Sequence, residues 1–232
     1  MSYDKTQNET LSSKIKEHIG LEISPVAVKL FINKSEIPEG ISKVDGGDHR
    51  HCEMVQNATK GDVFYATDAE LQGCKGGVGA LGLMEMPEPI RTGAMHHSMG
   101  KFSSRGAAKR TVDAIPKIEP TMDAIAYAPL ENAPFDPDVV IIIAKPLQAM
   151  KISQGMLYNM GGRLEANFGG IQSICSDTTA GPYNTGNPNF TLGCFGSRKF
   201  AKVQADEIIV GMNGENLSEL VKALDEREPE DI

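Results

Sequence analysis

The sequence predicts a mixed fold, α/β or α+β, with residues 1–232 forming a single compact domain of two similar intertwined halves about a pseudo-two-fold axis. Three observations carry this. Val26-Ala27-Val28-Lys29-Leu30-Phe31-Ile32 and Val139-Val140-Ile141-Ile142-Ile143 are near-continuous apolar runs that follow Pro25 and Pro137. Strands buried on both faces lose the apolar–polar alternation in this way, so the two runs read as equivalent central strands. Four cysteines then fall as two pairs, Cys52 with Cys74 and Cys175 with Cys194, separated by 22 and 19 residues. Finally, the second cysteine of each pair sits in the same frame, Gly73-Cys74-Lys75-Gly76 and Gly193-Cys194-Phe195-Gly196, and Gly61 and Gly181 each lie 13 residues before it. The halves are placed at about 21–86 and 133–212.

The elements follow in order. Residues 1–10 are polar and read as mobile. Ser12 or Ser13 is the expected cap of a first helix, whose Leu11, Ile15 and Ile19 recur at helical spacing and which Gly20 ends. Residues 87–120, rich in proline and glycine, read as a long connection between the halves. In the second half, Gln148 to Leu157 predicts a helix stopped by Gly161-Gly162. Gly169 to Ser176 reads as a strand ending at Cys175, and Asp206 to Met212 as another. Leu217, Leu220, Val221 and Leu224 mark one face of a last helix over about 216–227, with an acidic tail beyond it.

Composition excludes several functions. A net charge of -8, with no basic run longer than a pair such as Arg198-Lys199, offers little field for nucleic acid or an anionic membrane surface. No apolar stretch approaches the roughly 18 residues of a membrane span, and no signal peptide is recognisable. A cytoplasmic location is expected, where cysteines are thiols or metal ligands rather than disulfides. The glycine runs match neither a P-loop nor a dinucleotide fingerprint.

The cysteines carry the chemistry. A lone intracellular cysteine is usually a small buried hydrophobe. Two matched pairs in glycine frames are different, because the glycines clear side chains from the sulfur and let backbone N–H groups face its charge. Cys52, Cys74, Cys175 and Cys194 are therefore the candidate metal ligands. An iron–sulfur cluster, [4Fe–4S] above [2Fe–2S], is favoured over zinc, since structural zinc sites use tight Cys-x-x-Cys pairs and none occurs here. Zinc and no metal at all remain the alternatives. Lys75 and Arg198 follow the framed cysteines and are candidates to offset cluster charge or hold an anion. His49, His51, His96 and His97 form a secondary set. In an extended chain His49 and His51 would point away from Cys52.

These segments also resemble a known family. Pro25-Val26-Ala27-Val28-Lys29, Cys52, Gly73-Cys74-Lys75-Gly76-Gly77, Pro137-Asp138-Val139-Val140 and Gly193-Cys194-Phe195-Gly196-Ser197-Arg198 are together similar to the ArCR family of archaea and anaerobic bacteria. The resemblance runs from about Ile23 to Leu224. It implies an anaerobic, cytoplasmic setting and carries no settled activity.

The expected function is an iron–sulfur protein with a redox, electron-transfer or cluster-handling role, served by a redox partner protein. One alternative is an enzyme acting on a small anionic ligand at the cluster or a thiol, and the other is a metal-free binding or interaction protein.

Overall fold

The computed structural model describes residues 5–227. Seven strands form one mixed sheet in the order β2-β3-β4-β1-β5-β7-β6. They are β1 (Val26–Phe31), β2 (Ser42–Lys43), β3 (Phe64–Ala66), β4 (Ala124–Pro129), β5 (Val139–Ala144), β6 (Asn189–Thr191) and β7 (Ile208–Asn213). Only β2 and β3 pair in parallel; every other neighbour is antiparallel. The two apolar runs are the central strands β1 and β5, which lie side by side with Ala27 opposite Val140.

Outward from that pair the order repeats. β1 is followed by β4 and β3, and β5 by β7 and β6. In chain order each side runs central strand, cysteine-bearing helix, short strand, glycine-framed cysteine, returning strand. The returning strand β4 lies beyond residue 86, so the first side takes in a segment from past the connector.

Helices cover both faces. Ala27, Phe31, Val140, Ile142, Val210 and Met212 pack under α1 (Lys5–Ile19), α7 (Pro146–Leu157) and α10 (Leu217–Glu226). Val26, Val28, Ile125, Tyr127, Val139, Ile141 and Ile209 face the other way, toward α2 (His51–Ala58), α3 (Lys75–Ala80) and a π-helix over Ser173–Ala180. Each large apolar side chain so buried contributes about 2 kcal/mol. Cys52 and Cys175 belong to this second layer.

Several expectations are corrected. The helix at the N-terminus already runs from Lys5, because Asn8 is buried and donates to the Phe135 carbonyl. Ser12 lies inside that helix and donates to Glu131 at 2.7 Å, so neither it nor Ser13 is the cap. Residues 1–4 and the acidic tail over 228–232 lie outside the described residues. The connector is not irregular: it carries α4 (Glu88–Arg91), α5 (Ala94–Ser98) and α6 (Arg105–Ala114), the last capped by Ser104.

The strand expected over 169–176 is absent. Gln172 takes a left-handed φ of 49°, and the π-helix starts immediately after it. Thr178 and Thr179 both donate to the Ile174 carbonyl, holding the widened turn. This segment lies directly on β7, where a Cβ at Gly211 would meet the Thr178 carbonyl oxygen at 2.0 Å, so no other residue fits. Short α8 (Gly181–Thr185) and α9 (Phe195–Lys199) complete the α-helices of the described residues.

Candidate functional site

Four different elements bring in the cysteines. Cys52 lies in the first turn of α2, Cys74 is the residue before α3, Cys175 lies in the π-helix, and Cys194 is the residue before α9. The thiols are electrostatic neighbours in every pairwise combination: Cys194 raises the pKa of the other three, Cys74 those of Cys52 and Cys175, and Cys52 that of Cys175. One point makes the closeness concrete. A Cβ built on Gly77 would stand 3.5 Å from Cys175 Sγ and 3.6 Å from Cys74 Sγ, so this buried glycine adjoins two sulfurs at once. A Cβ on Gly196 would stand 3.6 Å from Cys194 Sγ. Among the described residues, no three His, Cys, Asp or Glu side chains are gathered closely enough to share a single metal ion.

Local structure explains the placement. Gly73 donates to the His49 carbonyl at 3.0 Å, and its Cα packs against the Asp48 carbonyl so closely that a Cβ there would sit 2.3 Å from the oxygen. This contact joins the start of α2 to the turn before α3 and so brings Cys52 beside Cys74. Gly193 instead supplies a left-handed φ of 84°. The leading glycine of each frame thus serves chain geometry, while the trailing segment presents amides to sulfur: those of Gly76 and Gly77 face Cys74, and that of Ser197 faces Cys194.

The thiols differ in acidity. Burial, with the charges of Cys194 and Cys74 added, pushes Cys52 up to about 12. Cys175 is raised well above the usual range by burial and then by the other three thiols. Burial also raises Cys74, against the opposing pull of the Gly77 amide and the Arg50 charge. At Cys194 burial acts in the same sense, but hydrogen bonds from Ser197 and Ser173 outweigh it and the pKa falls.

His51 is not a surface residue. It is 3% exposed, and burial lowers its pKa to about 3, so the ring is neutral. Its Nδ1 lies 2.8 Å from the Tyr127 hydroxyl and its Nε2 3.0 Å from Thr179 Oγ1. Because Thr179 donates to the Ile174 carbonyl, its oxygen accepts from the His51 Nε2–H, and Tyr127 donates to Nδ1. This satisfied chain ties α2, β4 and the π-helix together behind Cys52 and Cys175. Both thiols raise the Tyr127 pKa, after burial.

The expected basic pair is Lys75 and Arg198. Lys75 is exposed. Arg198 donates to the carbonyls of Leu192, at 3.1 Å, and Glu207, at 3.0 Å, and also to that of Gln204, which pins the loop between β6 and β7. The cation acting on Cys74 is Arg50, which lies 3.7 Å over the Phe200 ring and pairs with Glu53 at 3.0 Å. Sequence reasoning passed over Arg50, Tyr127, Gln172, Ser173 and Ser197. Of these only Ser197 carried a signal, three residues after Cys194, in the spacing of a capping box. His49 donates its Nε2–H to the Asp45 carbonyl at 2.6 Å, His97 is exposed, and His96 is buried.

A cavity of about 630 Å³ lies away from the cysteines, among α7, the segment at 160–167, α8 and α10. Its charged lining residues Arg163, Glu165 and Glu219 are exposed and do not converge with the thiols. No described helix is long and apolar enough to cross a membrane.

The fold is mixed α/β, and four thiols from four separate elements are electrostatic neighbours within it. The chain belongs to the ArCR family, described as uncharacterised, whose profile it matches over residues 14–223. It is 44% identical over 217 residues to an archaeal protein, "Uncharacterized protein MJ0308" of Methanocaldococcus jannaschii, a match covering 92% of each chain. No solved structure matches it.

Proposed function

We propose that the protein is an iron–sulfur protein, with Cys52, Cys74, Cys175 and Cys194 as ligands of one [4Fe–4S] cluster and a redox, electron-transfer or cluster-handling role in the cytoplasm of an anaerobe. The observation that carries the reading is that four thiols from four separate elements lie within electrostatic reach of one another, with Gly77 directly against two of the sulfurs. A cluster offers a separate iron to each cysteine, which suits ligands scattered over the fold rather than paired in a Cys-x-x-Cys knuckle.

The residues present fit such a group. Amides of Gly76, Gly77 and Ser197 face sulfur and offset thiolate charge, and Arg50 adds a full positive charge near Cys74. Cys52 and Cys175 are protonated thiols at neutral pH without metal, so ligation releases their protons and loading weakens as pH falls. The neutral His51 and its Tyr127 and Thr179 partners fix the elements that present Cys52 and Cys175. When bound, a cluster supplies one-electron transfer at a potential set by these surroundings.

Absorbance near 400 nm in anaerobically purified protein, bleached by dithionite with a new electron paramagnetic resonance signal, is the expected result. Colourless protein with no such signal after anaerobic reconstitution with iron and sulfide would reject the reading in favour of a metal-free binding protein.

A further inference from the structure

The surface beside Cys194 carries a charge opposite to that of the chain as a whole. The net charge is -8, yet residues 89–112 hold five lysines and arginines, residues 178–205 hold three, and neither stretch contains an aspartate or glutamate. The fold joins the two stretches at Phe195, the residue after Cys194 and the first of α9. The Lys101 ammonium, just past α5, lies 5.7 Å from the Phe195 ring and that of Lys199 lies 5.3 Å from it, both within cation–π reach.

A second ring extends the face inward. Phe200 meets Phe195 edge to face at 6.4 Å, has Lys199 5.2 Å from its centre, and carries Arg50 3.7 Å above it. Arg50 is the cation that acts on Cys74, so one group of side chains runs from solvent to the thiols. Its charge is shared with Glu53. Lys101 and Lys199 are exposed, and among the described residues neither pairs with a carboxylate.

The exposure of Phe195 selects the kind of partner. Phenylalanine is among the residues most often buried, and this one is 57% exposed with a lysine reaching over it from each of two chain segments. Leu192 and Met99, two residues before Cys194 and Lys101, are also exposed. An apolar centre with an aromatic anchor inside a charged rim is the anatomy of a protein-docking surface, and unpaired charges at such a rim steer encounter with a partner of opposite sign. Two unpaired lysines make a short track for a phosphate backbone, which is held by many cations. We propose, resting on the iron–sulfur reading, that the face centred on Phe195, with Lys101 and Lys199 at its rim, docks a small acidic electron-transfer protein beside Cys194.

Titration calorimetry with an acidic [2Fe–2S] ferredoxin tests this on the full chain, both as purified anaerobically and stripped of metal, because the docking side chains are present in both. A Kd below about 100 μM is expected at about 20 mM salt, weakened about tenfold or more at about 300 mM. The double variant Lys101→Glu, Lys199→Glu should lose about tenfold or more and Phe195→Ala about threefold or more, while Lys222→Glu, on α10 against the opposite face of the sheet, keeps the affinity. Absence of saturation, binding indifferent to salt, or unchanged binding in the double variant overturns the proposal. So does a single-stranded oligonucleotide that binds more tightly than the ferredoxin and is lost in the same variant. Should the double variant not fold, the salt series and Phe195→Ala decide. Ferredoxin binding to protein that holds no iron after reconstitution would uphold the docking face while the iron–sulfur reading fails, and iron loading without ferredoxin binding would do the reverse.

Discussion

The Cys74 and Cys194 frames share a spacing and an architecture, yet shift the acidity of their thiols in opposite directions. Each cysteine precedes a short helix, follows a glycine, and faces backbone amides of that helix. At Cys194 the helix continues with Ser197, whose hydroxyl accepts from the Cys194 N–H at 2.8 Å and donates to the Cys194 carbonyl at 2.9 Å, while Ser173 approaches from the π-helix. The sum lowers the Cys194 pKa. At Cys74 the corresponding helix reads Lys75-Gly76-Gly77-Val78, burial wins, and the pKa rises. A repeated frame thus fixes where sulfur stands, and the residues outside the frame set the direction in which its acidity shifts.

The strongest way to break the comparison is to remove one sulfur at a time. Cys74→Ser and Cys194→Ser are each expected to abolish the cluster signal near 400 nm, although their acidities differ, because both are ligands. Gly77→Ala separates site from fold. Its methyl group meets both neighbouring sulfurs at ordinary contact distance, so the fold is retained and the helix gains about 0.5–1 kcal/mol from the lost glycine, yet iron content should fall by at least half. Thermal melting and iron analysis of the same sample check this; full iron loading would show that the space is not used.

In metal-free protein the two frames should differ directly. Near pH 7.5 Cys194 is expected to alkylate about tenfold faster than Cys74, since the thiolate is the nucleophile. Ser197→Ala should erase most of that difference and cost ~1 kcal/mol as a lost cap. Peptide mapping by mass spectrometry after timed iodoacetamide exposure reads both. The smallest effects belong to the cations. Arg50→Ala should lower the reduction potential and Lys75→Ala leave it unchanged, with stability in the lysine variant within about 0.5 kcal/mol of wild type.

What the sequence disclosed follows the strength of local signals. β1, β5 and β7 were readable because β-branched runs buried on two faces have no alternative, and α7 and α10 because their apolar residues keep helical spacing. β4 was missed: Ala124-Ile125-Ala126-Tyr127-Ala128 has little β-propensity, and its place in the sheet comes from pairing with β1 and β3. The π-helix was read as a strand because Ile171 and the residues beyond it mimic alternation, whereas its turn depends on Thr178, Thr179 and the room above Gly211. The four cysteines were found by their repeated frame. Arg50 and the His51–Tyr127–Thr179 chain were not, because those contacts join residues far apart in the chain.

Iron and acid-labile sulfide per chain, measured in anaerobically prepared wild type and in the four single Cys→Ser variants, test the shared site most directly. About four irons and four sulfides in the wild type, lost in Cys74→Ser and Cys194→Ser alike, are the predicted result. Neither element in the wild type after reconstitution, or an intact cluster in either of those variants, would contradict it.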